Sequence, residues 1–323
     1  MKDKISNANF PTDAEGRVYH VGVKTGQVAN RIITVGDPAR LHRFKKFLDS
    51  EPVPFENSSA RGYTVVTGKY KGVDVSLIAI GMGVAMVDFF VREVRAVTTG
   101  ELAIIRFGSC GSLLPSLRVG SIGVPEAALQ ISTNYDFYHG GSERKAATPF
   151  LTSQPIKADE GLQKKLLSTL QSSVASPTCD VVSLPLHASA DCFYASQGRI
   201  DANFVDHNET LIDDLLAKNP DCASLEMETA HLLHLSSIAA PLPSSSSSPS
   251  ASSTSRTSIR SAACHMVFAA RRPAVTTATT SATGDEVMPE PQSDFIDPSV
   301  VEELEVKVGR ACLDAVCGWE MGQ

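Results

Sequence analysis

Between Cys192 and Asp201 the chain brings Phe193, Gln197 and Arg199 together, with Gly198 separating the last two. A carboxamide offers an acceptor and a donor, a guanidinium offers only a rigid fork of donors, and an aromatic ring offers a flat face. Together they can read a planar heterocycle that carries carbonyls beside an N–H, as uracil does. The same run also reads as a surface turn with no ligand.

Two further segments suit an anion. In Val35-Gly36-Asp37-Pro38-Ala39-Arg40 a strand meets a helix, Gly36 permits close backbone approach, and Pro38 fits the first helical position. The helix N-terminus and Arg40 would together favour negative charge. The structural alternative is a capped turn with Asp37 as N-cap. Ile105-Arg106-Phe107-Gly108-Ser109-Cys110-Gly111 is expected to end an apolar strand in a Gly-rich turn. An arginine at the buried end of a strand needs a partner, and Ser109 can add a hydroxyl beside backbone N–H groups freed by the glycines. Gly81-Met82-Gly83 ends another strand and is expected on the same rim.

Ser224-Leu225-Glu226-Met227-Glu228 sets two carboxylates two positions apart where a strand gives way to a helix. An ionised carboxylate can accept from both hydroxyls of a sugar diol, and methionine gives a soft apolar wall. Acidic residues are also common at a plain helix start. His20, Arg61, His265 and Arg271 or Arg272 are weaker candidates on sequence grounds. The seven cysteines are scattered without a C-x-x-C pair and read as small buried hydrophobes. No His/Asp/Glu group has metal-ligand spacing, and no serine or cysteine sits in a G-x-S-x-G context, so neither a metal site nor a hydrolase triad is expected.

The elements that must hold these residues alternate in type. Arg31–Gly36, Tyr63–Tyr70, Val73–Ile80, Leu102–Phe107 and Ile122–Pro125 read as strands, with a hairpin turn at Lys71-Gly72. Helices are expected over Pro38–Leu48, Val84–Thr99, Asp159–Gln171, His207–Ala217, Met227–Ser236 and Pro298–Trp319. This predicts an α/β fold: a single three-layer domain with a mixed central β-sheet flanked by helices, and a ligand site at the carboxyl ends of its strands.

At 323 residues and a net charge of -7, the chain can bury a large core and lacks the basic surface of a nucleic-acid or membrane binder. The polar start Met1-Lys2-Asp3-Lys4 has no apolar region behind it, and no run is long enough to span a bilayer, so a cytoplasmic protein is expected. Residues 1–16 read as an N-terminal extension and 17–323 as the domain. A Ser-rich insertion at about 241–261 is expected to be disordered, and Thr276–Asp294 to be a second long loop.

With Gly36-Asp37-Pro38-Ala39-Arg40, Arg106-Phe107-Gly108-Ser109-Cys110-Gly111 and Glu226-Met227-Glu228 in this order, the chain resembles the nucleoside phosphorylase-I superfamily over about residues 17–320. The Phe193…Gln197-Gly198-Arg199 run points to its uridine branch. The resemblance implies reversible phosphorolysis of uridine to uracil and ribose 1-phosphate in pyrimidine salvage, with phosphate as co-substrate and no cofactor. It implies that Gly36, Arg40, Arg106 and Ser109 hold phosphate, with Arg61 reaching over from a neighbouring subunit. Met227 and Glu228 would hold ribose with Glu226 in support, and the neighbour's His20 would meet the 5′-hydroxyl. Phe193, Gln197 and Arg199 would hold uracil, with Arg271 helping to orient Arg199 or closing the pocket. Arg199, Gln197 and Arg106 would act most directly in catalysis. Sites shared in this way imply a homo-oligomer, at least a dimer. Ser109 and Cys110 stand where many members carry threonines, and Gly62 where several bacterial members carry a cation-binding glutamate. The alternatives are a purine nucleoside phosphorylase, with Asp285 as its candidate acid, a nucleosidase that uses water, and a non-catalytic nucleoside-binding protein.

Overall fold

Two apolar runs lie side by side in the sheet: Arg31–Val35 (β1) and Leu102–Ser112 (β5) are parallel, with Thr34 beside Arg106. Their residues are apolar at consecutive positions because the sheet is covered on both faces. Ile33, Val35, Ile105 and Phe107 point to one core, and Ile32 and Ile104 to the other. The computed structural model describes residues 7–140, 148–241, 258–271, 279–280, 286–287 and 295–322.

On one face of the sheet lie Pro38–Lys45 (α1), Glu160–Ser173 (α4) and Pro298–Cys317 (α7), which contribute Leu41, Phe44, Leu166, Val308 and Cys312 to the first core. Val84–Val97 (α2) and Thr229–Ile238 (α6) cover the other face with Phe90, Val94, Leu232 and Leu235. Thr64–Tyr70 (β3) and Val73–Ala79 (β4) form the expected hairpin. Its turn residues Lys71 and Gly72 have φ of 51° and 80°, the left-handed pair that matches strand twist.

The strand order is β2-β3-β4-β1-β5-β12-β11-β7-β8, where β2 is Phe55–Ser58, β7 Ala127–Thr133, β8 Phe150–Thr152, β11 Leu186–Ala190 and β12 Cys222–Glu226. Ile259–Ala270 (β13) runs parallel to β5 and also pairs with Ile122–Pro125 (β6). Parallel and antiparallel pairs occur together, so the sheet is mixed as expected.

The structure corrects several boundaries. β5 continues through Ser112, so Arg106 lies mid-strand and the expected Gly-rich turn is strand. The glycines serve packing instead: a Cβ on Gly108 would stand 2.6 Å from His265 Nδ1, and one on Gly111 2.7 Å from Arg271 Cγ. β13 begins at Ile259, inside the expected end of the Ser-rich insertion, with Ile259 and Ser261 both buried. The rest of that run, residues 242–257, lies outside the described residues, as do Arg272 and Asp285. Within the second expected loop, Thr279–Thr280 pairs antiparallel with Glu286–Val287. The helix expected from His207 starts at Leu211, because His207 has φ of 51° and Asn208 is spent on loop carbonyls. The N-terminal segment has no break at residue 16: Thr12 bridges Val18, and Asp13 accepts from Arg17 N.

Candidate active site

Three turns and two strand ends meet at the carboxyl edge of the sheet. At the first, Asp37 caps α1 by accepting from Ala39 N at 2.8 Å, with Pro38 at the helix start. Gly36 lies against the next turn, where Gly81 N donates to Gly36 O at 3.0 Å. Arg40, 8% exposed, turns away from the helix N-terminus. It donates through Nη2 to Ser109 Oγ at 2.7 Å, through Nη1 to Phe107 O at 3.3 Å and through Nε to Glu305 Oε1 at 2.8 Å. Its guanidinium stands 4.8 Å from the Phe107 ring centre.

Arg106 faces the acidic pair. Its Nη2 bonds Glu228 Oε2, its Nε lies 3.4 Å from Glu226 Oε2, and its buried Nη1 has no hydrogen-bond partner among the described residues. The two carboxylates differ in how they are held. Glu226 accepts from Ser189 Oγ at 2.5 Å and from the backbone N–H groups of Glu228 and Thr229, and His187 Nε2 lies 3.1 Å away, off the ring's N–H axis. Burial pushes Glu226 upward, but the contact with His187 and the positive charge of Arg106 hold it well below the ordinary carboxylate range. Glu228 accepts from Gly83 N at 2.5 Å, and burial, against the pull of Arg106, pushes it up to about 7. Met227 is half-buried beside them.

The heterocycle-reading run follows β11 directly. Gln197 is 5% exposed and sits in the short helix Ala195–Gln197, which Gly198 ends in the left-handed conformation at φ 62°. Arg199 lies over Phe193, 3.8 Å from the ring centre, and donates to Gln197 Oε1 at 2.5 Å and to Phe193 O at 3.0 Å. Burial first, then the charge of Arg271, pushes Arg199 down to about 10, so it remains a cation at neutral pH. Arg271 binds the same turn, donating to Gly198 O at 3.3 Å, while its own N–H donates to Ser112 O. The turn that carries Gln197 and Arg199 is thereby tied to the end of β5.

His20 and Arg61 do not join this cluster within the chain. His20 Nδ1 is 2.6 Å from Glu93 Oε1 and its ring stacks on Phe89 at 3.8 Å. Arg61 is exposed and pairs with the Tyr19 hydroxyl and ring.

Sequence reading missed Glu93, which is 5% exposed, and Glu305, which is 3% exposed. The signal for Glu305 was an acid among the inward positions Leu304, Val308 and Ala311 of an amphipathic helix. It also missed His187, the buried partner of the candidate His265. His187 and His265 stack at 4.6 Å with ring planes 7° apart, and with Glu226 they form a group of metal-donor types. Rings that close to parallel keep their in-plane lone pairs in separate, nearly parallel planes, so no single nearby point lies ahead of both. The group reads as a hydrogen-bonded support, with His187 Nδ1 on Ser224 at 2.7 Å and His265 Nε2 on Thr229 at 2.9 Å.

Residues 30–243 match the family model of the phosphorylase superfamily. The chain belongs to that superfamily. Among its members, the uridine phosphorylase of Thermococcus kodakarensis is 29% identical over 240 residues, covering 74% of this chain and 78% of that protein. A DeoD-type purine nucleoside phosphorylase of Geobacillus kaustophilus is 35% identical over 150 residues, 46% of this chain and 62% of that one. A structure from work on two diverse uridine phosphorylases of the oomycete Phytophthora capsici superposes with a TM-score of 0.81 at 33% identity, covering 98% of this chain and all of that one (100%). A Trypanosoma brucei nucleoside phosphorylase shares the fold at TM-score 0.69 and 18% identity, covering 96% of this chain and 100% of its own. The protein is a nucleoside phosphorylase by family, a pentosyltransferase on one mixed-sheet domain.

Proposed function

We propose that the protein is a uridine phosphorylase, which converts uridine and phosphate reversibly to uracil and ribose 1-phosphate. One observation carries the choice of base: Phe193, Gln197 and Arg199 form a single contact set, with the guanidinium carbon 3.8 Å over the ring centre and the guanidinium bonded to the amide oxygen. That bond fixes which end of the amide is the acceptor and leaves its nitrogen as donor, the pair that a carbonyl beside an N–H requires. Relatives named as uridine phosphorylases match most of the chain, whereas the purine relative named above matches under half.

The roles follow from charge. Arg40, Arg106, Ser109 and Gly36 hold phosphate below the sugar, and the partially unsatisfied Arg106 guanidinium suits an anion. Glu228 accepts from the ribose hydroxyls beside Met227, while Glu226, whose oxygens are already engaged, anchors the turn. As a phosphate oxygen bonds C1′, the C1′–N1 electron pair leaves on uracil. The ring charge spreads to the carbonyl oxygens, where Arg199 and Gln197 donate, and a proton from solvent completes the base. Phosphate is nucleophile and counter-charge together, so no protein nucleophile is needed and no cofactor takes part.

Arg61 and His20 complete the site of a neighbouring subunit in a homo-oligomer, at least a dimer, working in cytoplasmic pyrimidine salvage. Arg61 stays away from this chain's own cluster, and Glu93 fixes His20 by one ring nitrogen. A panel of uridine, deoxyuridine, inosine and adenosine in saturating phosphate tests the choice of base. Uracil release should dominate, and Arg199→Ala should lower it by on the order of 10²–10³, the loss typical of one preorganised donor. Release of purine bases instead would move the protein to the purine branch.

A further inference from the structure

We propose that Glu305, on the last helix, is the positioning residue that fixes Arg40 for phosphate; the inference rests on the phosphorylase reading given above. Glu305 lies 265 positions from Arg40 in the chain, yet its Oε1 accepts from Arg40 Nε at 2.8 Å and its Oε2 from Arg43 Nη1 at 2.5 Å. The carboxylate and the guanidinium side chains are 4% and 9% exposed, so this is a buried ion pair and not a surface bridge.

The geometry leaves Arg40 little freedom. Glu305 takes its Nε edge, Phe107 stands 4.8 Å beneath it, and Ser109 Oγ takes one N–H of Nη2. A guanidinium carries five N–H donors, of which these contacts and the Phe107 carbonyl use three, so one N–H remains on each terminal nitrogen, Nη1 and Nη2. Arg106 needs no such support from α7, because Glu226 and Glu228 hold it.

The placement of Glu305 is itself fixed by packing. One helical turn on, Gly309 meets the Phe44 ring so closely that a Cβ there would stand 2.5 Å from Phe44 Cδ1. This seam brings α7 against α1, and Glu305 arrives beside Arg40 as a consequence. The carboxylate also balances the charge of Arg40 and Arg43, so its removal adds net positive charge near the phosphate while releasing the guanidinium. If charge alone mattered, loss of Glu305 would tighten phosphate binding. If orientation matters more, binding weakens, because a buried pair with one partner removed leaves a mobile or misdirected cation.

The test uses the full-length protein with Glu305→Ala and the isosteric Glu305→Gln, whose amide oxygen can still accept from Arg40. KM for phosphate should rise on the order of tenfold in Glu305→Ala, the loss expected when a hydrogen bond to a charged group goes. It should rise less in Glu305→Gln, while KM for uridine moves within about twofold in both. Alongside this, the rise in Tm caused by inorganic phosphate should shrink in both variants relative to the parent protein. That second readout needs no turnover. A parent protein stabilised by phosphate but inactive on uridine would overturn the uridine reading and leave the Glu305 test intact. An unchanged or lower KM for phosphate, or an undiminished phosphate-induced Tm rise in a folded Glu305→Gln protein, would overturn the positioning role.

Discussion

Arg106 would join the two proposed subsites in one side chain, binding Glu228 and reaching Glu226 while its Nη1 has no partner among the described residues. Its neighbour Glu228, proposed above to hold ribose, would set the pH at which the sugar is bound. Burial raises that carboxyl from 4.5 to about 7, and Arg106 offsets only part of the rise. Since the ionised form is the one that accepts two hydroxyls, kcat/KM for uridine should fall as pH drops through about 7, well above the ordinary carboxylate range. Glu228→Gln should remove this acid limb and lower kcat/KM by on the order of tenfold, as the charge-assisted bonds are lost. A parent profile that stays flat from pH 8 to 5 would show that Glu228 does not titrate in the free enzyme.

The elements hold these residues through unusually close seams. Gly108 on β5 gives its space to His265 on β13, and Gly309 on α7 gives its space to Phe44 on α1. Gly309→Ala decides between two effects: alanine favours a helix interior by about 1 kcal/mol, but overpacking a fixed ring costs about 1–3 kcal/mol. Phe44 is fully buried, so the clash should win and the protein should lose stability in denaturant titration. A more stable Gly309→Ala protein would mean that the seam relaxes freely. These seams also mark the limit of what sequence disclosed. The apolar runs of β1, β3, β4 and β6 were legible from period and composition, and so were the motifs that carry Arg40, Arg106, Glu228 and Arg199. Strands such as β7 and β11 were missed because they are short or interleave Ser, His and Gln with apolar residues, and their burial is decided by neighbours far away in sequence; β12 was legible only at its end, where it gives way to α6. Gly108 and Gly111 suggested a turn because glycine signals both a bend and a close approach, and only β13 shows which one applies. Glu305 and His187 were missed for a related reason: each finds its partner across the fold, where no local spacing records it.

For the whole molecule, the separation of His20 and Arg61 from the site they are proposed to serve would make assembly part of the chemistry. If neighbouring subunits share sites, inactive Arg61→Ala and Arg199→Ala proteins, unfolded and refolded together, should regain activity. A dimer with one intact site in each mixed pair predicts about a quarter of the parent rate. No recovery despite demonstrated mixed oligomers would place Arg61 outside the neighbour's site. The arginines proposed to hold phosphate imply a phosphorolytic reaction and not hydrolysis, which is the central chemical claim. Uridine incubated with and without phosphate tests it most directly, with uracil and ribose 1-phosphate both measured. The account predicts uracil only when phosphate is present, in equal amount to ribose 1-phosphate; uracil released at the same rate without phosphate would contradict it.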